Sequence, residues 1–330
     1  MIMGVGVLGY NNVRTTAPLI HCAVAAVLLA AAGSLCAEPL GYSINSRGLD
    51  RDDQRVNALW QIDLSTGNAE YIGWTSFLDV EALALSPAGV LYGADDDTNT
   101  LVRVSMVTGL AQPVGGAGNR FNSGLLPLDR KLDFGMSFTC DGDLYVVSDV
   151  EESLFLADTE SGKLSVVGAA GALGNPITDI AVRGDEIYGI GVGLTSAGQP
   201  AAPNLYRIDL ETPAAELIGP LGPAAAPYNN AGLSFDADGT LWAVTDRRAV
   251  AGQDLPSQIL QIDPASGTAQ LIAESLIGLE SLAVAPPSGC EARAGSGQQH
   301  DIPFLSRGGL VLLFLLMLTL GGLSLRRHLS

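Results

Sequence analysis

A unit of about fifty residues recurs along this chain, and that repeat limits the possible folds more than any other feature. Each unit carries an aromatic residue on the same side of a turn, and these aromatics lie 43 to 54 residues apart. Self-similarity at this period is typical of propellers and solenoids, in which each repeat is one supersecondary unit. The recurring aromatics are Tyr42, Tyr92, Tyr145, Tyr188 and Trp242.

Three further segments recur in every unit. After the aromatic comes a strand of alternating apolar and polar residues: LWQID, LVRVS, LFLAD, LYRID and ILQID from 59, 101, 154, 205 and 259. A second strand follows after a turn: AEYIG, AQPVG, LSVVG, AELIG and AQLIA from 69, 111, 164, 215 and 269. A third segment is rich in small residues: ALAL, GMSF, DIAV, GLSF and SLAV from 82, 135, 179, 232 and 281.

These segments predict an all-β fold, a single β-propeller of five four-stranded blades. Small residues suit the innermost strands, because blades converge on the axis and leave little room there. The last small-residue copy, 281–284, follows the fifth outer strand, whereas the first unit begins at Tyr42 without one. We therefore expect the C-terminal strand to complete the N-terminal blade and close the ring without a free edge.

The body from Pro39 to Pro287 resembles bacterial secreted β-propeller domains with SP-x-G-x-LY and LxxID-xx-TG repeats. That class spans binding modules and some enzymes, so the resemblance implies an architecture and leaves the chemistry open.

The formal net charge is −18 and the pI is about 4.3. Such a chain repels nucleic-acid phosphates, so nucleic-acid binding is disfavoured, and it suits cations or basic partners. Many of the acids stand in turns, where their role is local hydrogen bonding and solubility.

Both ends of the chain carry apolar segments. Residues 19–37 follow Arg14 and end in small residues, which predicts a signal peptide at 1–37. Residues 310–325 are almost wholly apolar and precede two arginines, which predicts a short C-terminal transmembrane helix with the body outside the cytoplasm. The predicted organisation is a signal peptide (1–37), a propeller (38–287), a flexible spacer (288–301) and a sorting and membrane segment (302–330).

The tail resembles the IPTL-CTERM class of bacterial protein-sorting signals. The residues that match its motif precede the apolar run, whereas Phe304 replaces the usual threonine and Gly308 a common tryptophan. The resemblance implies an envelope protein of a Gram-negative bacterium and an exosortase-like sorting enzyme as a partner. The matching residues are Ile302, Pro303, Leu305, Ser306 and Gly309.

Two of the four cysteines, Cys22 and Cys36, lie in the predicted leader. Cys140 and Cys290 remain in the body, and both follow the first strand of their blades, toward the same face of the disc. An oxidising compartment permits a disulfide between them, and two separate thiols are the alternative.

An acidic or amide residue stands at the entry to every innermost strand. Oxygen atoms that converge at one mouth of the channel can bind Ca²⁺, although the offsets differ by one or two residues between units. Hydrogen bonding in turns or at strand ends is the alternative role for these residues. We interpret a second acidic set, which follows the aromatic strands, as turn residues: Asp95, Asp96, Asp97, Asp149 and Asp246. The predicted metal ligands are Glu81, Asp133, Asp179, Asn230 and Glu280.

All three histidines, His21, His300 and His328, lie outside the repeats, so the propeller holds no Ser-His-Asp triad or histidine–zinc cluster, and no catalytic residue is assigned.

We expect a non-catalytic module that binds a protein or glycan through three long insertions, 116–130, 191–203 and 247–257. The alternative is a calcium-dependent, lactonase-like hydrolase with Glu81, Asp179 or Glu280 as base. A structural envelope role without a discrete ligand is a third hypothesis.

Overall fold

A computed structural model of the protein describes residues 39–45, 55–121, 132–194, 199–201, 203–248, 250 and 252–290. The chain separates into two compact units, Met1–Cys290 and Glu291–Ser330. The predicted signal peptide, transmembrane helix and sorting motif lie outside the described residues. Within the described ranges, no helix is long and apolar enough to cross a membrane.

Four blades are continuous in sequence, and each is an antiparallel sheet of four strands in meander order. Blade II contains β4 (Val80–Leu85), β5 (Leu91–Asp95), β6 (Thr100–Val104) and β7 (Ala111–Pro113). Blade III contains β8 (Phe134–Phe138), β9 (Leu144–Ser148), β10 (Ser153–Ala157) and β11 (Leu164–Val166). Blade IV contains β12 (Ile177–Arg183), β13 (Glu186–Gly191), β14 (Asn204–Asp209) and β15 (Ala214–Pro220). Blade V contains β16 (Asn230–Phe235), β17 (Leu241–Asp246), β18 (Gln258–Ile262) and β19 (Ala269–Glu274).

Blade I is assembled from both ends of the body. Its consecutive strands are β1 (Leu40–Ile44), β2 (Ala58–Asp63) and β3 (Ala69–Trp74). Tyr42 and Ala283 exchange backbone hydrogen bonds of 2.8 and 2.9 Å, and Glu280 N–H donates to Ile44 C=O. Residues 279–283 are therefore the innermost strand of blade I, and the predicted five-bladed ring with terminal closure is confirmed.

The recurring aromatics occupy one register position in all five blades. Each lies opposite the third residue of the next strand's motif, as in the pairs Tyr42–Gln61, Tyr92–Arg103 and Trp242–Gln261. The aromatic covers the stem of the opposing long side chain, and the Arg103 guanidinium lies 5.4 Å from the Tyr92 ring centroid. This shared register explains why the repeat is visible in the sequence.

The core lies between neighbouring blades rather than within one sheet. Tyr92 of blade II packs edge-on against Phe138 of blade III at 5.3 Å between ring centroids. Tyr188 of blade IV makes the same contact with Phe235 of blade V at 5.4 Å. Each fully buried side chain of this size contributes about 1.5–3 kcal/mol. The blades are therefore held side by side mainly by aromatic and aliphatic packing.

Glycines let the innermost strands approach each other closely. A Cβ atom on Gly135 of β8 would lie 2.3 Å from the Cα of Asp179 on β12. A Cβ on Gly232 of β16 would lie 2.3 Å from the backbone nitrogen of Leu282 in the closing strand. The predicted crowding at the axis is therefore met by residues without side chains.

The innermost strands all run in the same direction, which gives the ring two different faces. We call the face where they begin, near Glu81, the mouth face, and the face where they end, near Leu85, the far face. Far-face turns are short, and most are closed by the side-chain oxygen of an aspartate, serine or threonine. Asp263 accepts hydrogen bonds from Ala265 N–H and the Ser266 hydroxyl.

The C-terminal end of the body closes the channel at the far face. Residues 285–287 lie against the ends of the innermost strands, in contact with the same small cavity as Leu85 and Phe235. Gly184 N–H donates to Ser288 C=O at 2.8 Å, and a disulfide joins Cys140 to Cys290. The chain therefore leaves the propeller on the far face.

Candidate functional site at the acidic mouth

Acidic side chains from three blades meet at the mouth face. Oxygen atoms of Glu81, Asp96 and Asp133 all lie within 4.8 Å of one another. Oxygen atoms of Asp79, Glu81 and Glu280 meet the same condition. These are the two carboxylate groupings of this kind among the described residues, and Glu81 belongs to both.

Glu81 reaches the mouth because of a β-bulge. Val80 pairs with Asp95 and Ala82 pairs with Ala94, so Glu81 is the extra residue on β4 and has no partner on β5. A bulge of this kind re-aims the side chain of the extra residue. Asp133 approaches from blade III with a φ of 40°, a backbone conformation that non-glycine residues rarely adopt.

Burial and neighbouring charges raise the pKa of three carboxyl groups at the mouth, those of Glu81, Asp96 and Asp149. Burial raises the pKa of Glu81 well above its ordinary value, and the charges of Asp133 and Asp96 raise it further. Burial, followed by the charge of Asp133, raises the pKa of Asp96 to about 8. The same two causes raise the pKa of Asp149 to about 8.

One basic side chain enters the mouth on the side of blade V. The Arg248 guanidinium contacts the Asp246 carboxylate at 2.9 Å and also forms an ion pair with Glu280. Asp246 in turn accepts the backbone N–H of Arg248 at 2.9 Å, which fixes the start of the loop. Arg248 therefore compensates Glu280, on one side of the mouth.

Two of the predicted metal ligands are placed differently. Asp179 accepts backbone N–H groups from Met136 and Ile180, both at 2.8 Å, and from Leu233 at 2.6 Å. Asn230 accepts the N–H of Ala231 at 2.8 Å through its side-chain oxygen. Asp179 lies outside the two carboxylate groupings, and the side-chain oxygens of both residues accept backbone N–H groups of the innermost strands.

A bulge also explains the position of Asp179. Ile177 pairs with Gly191 and Asp179 pairs with Ile190, so Thr178 is the extra residue on β12. Thr178 therefore matches Glu81, whereas Asp179 stands one residue further along. Successive side chains on a strand point to opposite sides, so Asp179 is oriented differently from Glu81, and its carboxylate accepts N–H groups from the innermost strands of blades III, IV and V.

The second acidic set divides in a similar way. Asp96 joins the cluster, and Asp149 lies close enough for its pKa to be raised by Asp133. Asp95 instead accepts Asp79 N–H at 3.0 Å and Thr98 N–H at 2.9 Å, which fixes the loop. Asp97 is exposed.

Sequence reasoning missed Asp79 and Arg248. Asp79 stands two residues before Glu81, and the predicted set takes a single acidic or amide residue at the entry to each innermost strand. Arg248 had a weak signal, because it follows Asp246 by two residues at the start of a long insertion, which suits a local ion pair.

The long insertions considered as binding loops all start or end at the mouth face. Phe121 N–H donates to Asn99 C=O at 2.7 Å, beside Asp96. Val192 N–H donates to Pro176 C=O at 3.3 Å, at the start of β12. The insertion after Asp246 begins with Arg247 and Arg248. The described parts of these loops therefore lie on the same face of the ring as the carboxylate cluster.

No protein-family model matches this sequence, and no curated protein is similar to it. Among solved structures, a catalytically inactive variant of virginiamycin B lyase from Staphylococcus aureus with quinupristin is similar at 15% identity and a TM-score of 0.39, over 72% of this chain and 71% of that chain. A nidogen/laminin complex is similar at 9% identity and a TM-score of 0.41, over 70% of this chain and 78% of that chain. Neither similarity bears on function at these identities and TM-scores.

Proposed function

We propose that the chain is an exported β-propeller that acts as a binding module at the cell envelope, where its C-terminal segment anchors it. The observation that carries the proposal is the contrast between the two faces of the ring. Far-face connections within the blades span two to six residues. Five mouth-face connections span ten to twenty, namely 45–57, 114–133, 167–176, 192–203 and 247–257.

Long connections on one rim of a rigid ring are typical of binding surfaces, because the scaffold holds the loop ends while the loops vary. The far-face end of the channel is already closed by residues 285–287, and the Cys140–Cys290 disulfide lies on the same face. The mouth face is therefore the surface that we assign to the ligand.

The charge of the mouth face supports a class of ligand. Carboxylates crowd its centre, and the full chain carries a net charge of −18. A partner protein or glycan that presents positive charge, or that is reached through a bound cation, complements this surface. An anionic ligand is disfavoured on the same ground.

Site-specific crosslinking in cells tests the proposal. The full chain is expressed in a Gram-negative host with a photo-crosslinking residue at Gln253 on the mouth face or, as the matched control, at Asp185 on the far face. Both positions are exposed. We expect the chain in the membrane fraction and crosslinked adducts from position 253 alone. Recovery of the chain in the cytoplasm overturns the envelope location, and equal adducts from both positions overturn the choice of face.

A further inference from the structure

We propose that Glu81, Asp96 and Asp133 bind one Ca²⁺ ion at the mouth of the channel, between blades II and III. Calcium binds oxygen ligands at about 2.3–2.6 Å, so two ligands on opposite sides of one ion lie about 5 Å apart. The oxygen atoms of the three carboxylates all lie within 4.8 Å of one another. Their spacing therefore allows a single ion to contact all three.

A buried and unpartnered oxygen points to the same site. Glu81 is 8% exposed; its carboxyl group forms a hydrogen bond with the Asp133 side chain, whereas its Oε2 atom has no hydrogen-bond partner among the described residues. A buried carboxylate oxygen without a donor is costly, and proteins satisfy such groups by pairing or by metal coordination. Asp149 adds a buried Oδ1 atom that also lacks a partner within the described part of the chain.

The charged side chains around the cluster favour a bound cation between blades II and III. Arg248 pairs with Asp246 and Glu280, on the side of blades V and I. The neighbours that act on Glu81 electrostatically are Asp133, Asp96 and Asp149, all acidic. The grouping of Glu81, Asp96 and Asp133 is therefore the one at which a metal ion would neutralise negative charge.

The donor set favours calcium over transition metals. It is composed of carboxylate oxygens, and the described residues contain no histidine. Magnesium demands near-ideal octahedral geometry and retains several waters, whereas calcium accepts irregular sets of oxygen ligands. Ligands drawn from a bulge, a loop and a residue with positive φ form an irregular set. The inference stands independently of the proposed partner and location.

Calcium titration of the purified full chain tests the site. The protein, in mild detergent, is stripped with chelator and titrated with calcium chloride by calorimetry, and its thermal unfolding is followed in parallel. We expect one ion per chain and an unfolding midpoint that rises with calcium. Absence of both heat and a midpoint shift up to millimolar calcium overturns the proposal, and tighter binding of magnesium overturns the choice of ion.

Matched variants assign the binding to these residues. Glu81→Gln and, as a second variant, Asp133→Asn remove one charge each from the cluster, and each is expected to weaken calcium binding at least tenfold. Asp97→Asn removes one charge from an exposed neighbour and is expected to change the affinity less than threefold. In chelator, both cluster variants should unfold at or above the wild-type midpoint, because a buried repulsive charge is gone. Equal loss of affinity in Glu81→Gln and Asp97→Asn overturns the assignment.

Discussion

Replacement of Asp179 by alanine should destabilise the propeller strongly, because its carboxylate joins three innermost strands. The side chain is 2% exposed. It accepts N–H groups from Met136 on β8, Ile180 on β12 and Leu233 on β16. Alanine leaves all three buried donors without an acceptor.

The expected loss follows from these three bonds. A buried donor without a partner costs about 1–3 kcal/mol, so three give about 3–9 kcal/mol. The variant also recovers the desolvation free energy of the buried carboxyl group, whose pKa burial raises well above its ordinary value. The lower end, about 3 kcal/mol, is therefore our expectation. For a domain of this size it lowers the unfolding midpoint by about 6–12 °C.

Urea unfolding and thermal unfolding in chelator measure the effect without a contribution from any cation at the mouth. Asp185→Ala is the matched control, because Asp185 is exposed in the next turn of the same blade; it should change the free energy of unfolding by less than about 0.5 kcal/mol. Asp179→Asn keeps one acceptor oxygen and should lie between the two. A loss below about 1 kcal/mol in Asp179→Ala, or one equal to that of Asp185→Ala, would refute this reasoning.

Two further predictions concern the far face and the mouth. The Cys140→Ser, Cys290→Ser double variant should lose about 2–5 kcal/mol of unfolding free energy, because the disulfide joins residues 150 apart. A reductant should lower the thermal unfolding midpoint of the wild type and leave that of the double variant unchanged. Identical midpoints for the wild type and the double variant without reductant contradict the prediction. In chelator, the unfolding free energy should fall as pH rises from about 4 to about 8. The pKa of Asp96 and of Asp149 is about 8 in the folded protein and 3.8 in the unfolded chain, so the folded state binds more protons in this range. A flat or rising profile in urea titrations contradicts this prediction.

The architecture could be predicted because each blade repeats one register. Tyr42, Tyr92 and Trp242 each lie opposite the same position of the following strand, so the aromatic marks the blade wherever it occurs. The fourth unit lacks the Thr-Gly or Ser-Gly turn, yet its strands pair normally. Asp209 closes that turn by accepting the N–H groups of Glu211 and Thr212. The aspartate at the same position closes the turns that keep the glycine, as Asp63 and Asp263 do by accepting the N–H groups of Ser65 and Ala265, so the fourth turn forms without the motif.

The site could be predicted only in part, because its geometry depends on bulges that the sequence does not reveal. Entry to an innermost strand is the pattern that selects Glu81 and Glu280, and both residues lie in a carboxylate grouping at the mouth face. It does not distinguish Glu81 from Asp179, although one residue of register separates a clustered carboxylate from one that binds backbone amides. For a related reason the sequence predicts turn chemistry for Asp96. A run of three consecutive aspartates does not indicate which side chain turns toward the channel.

The bulge position carries chemically different side chains in different blades of the ring. At the bulge position, blade II carries Glu81, whereas blade IV carries Thr178, whose hydroxyl donates to Ala231 C=O of blade V at 3.1 Å. The same place in the fold therefore supplies a charged ligand on one side of the channel and a strand-to-strand hydrogen bond on the other. We therefore expect Asp179→Asn to lower stability without weakening calcium binding. Glu81→Gln should weaken calcium binding without lowering the stability of the cation-free protein. A ring of identical blades would couple the two properties, and their separation here follows from a single residue of register.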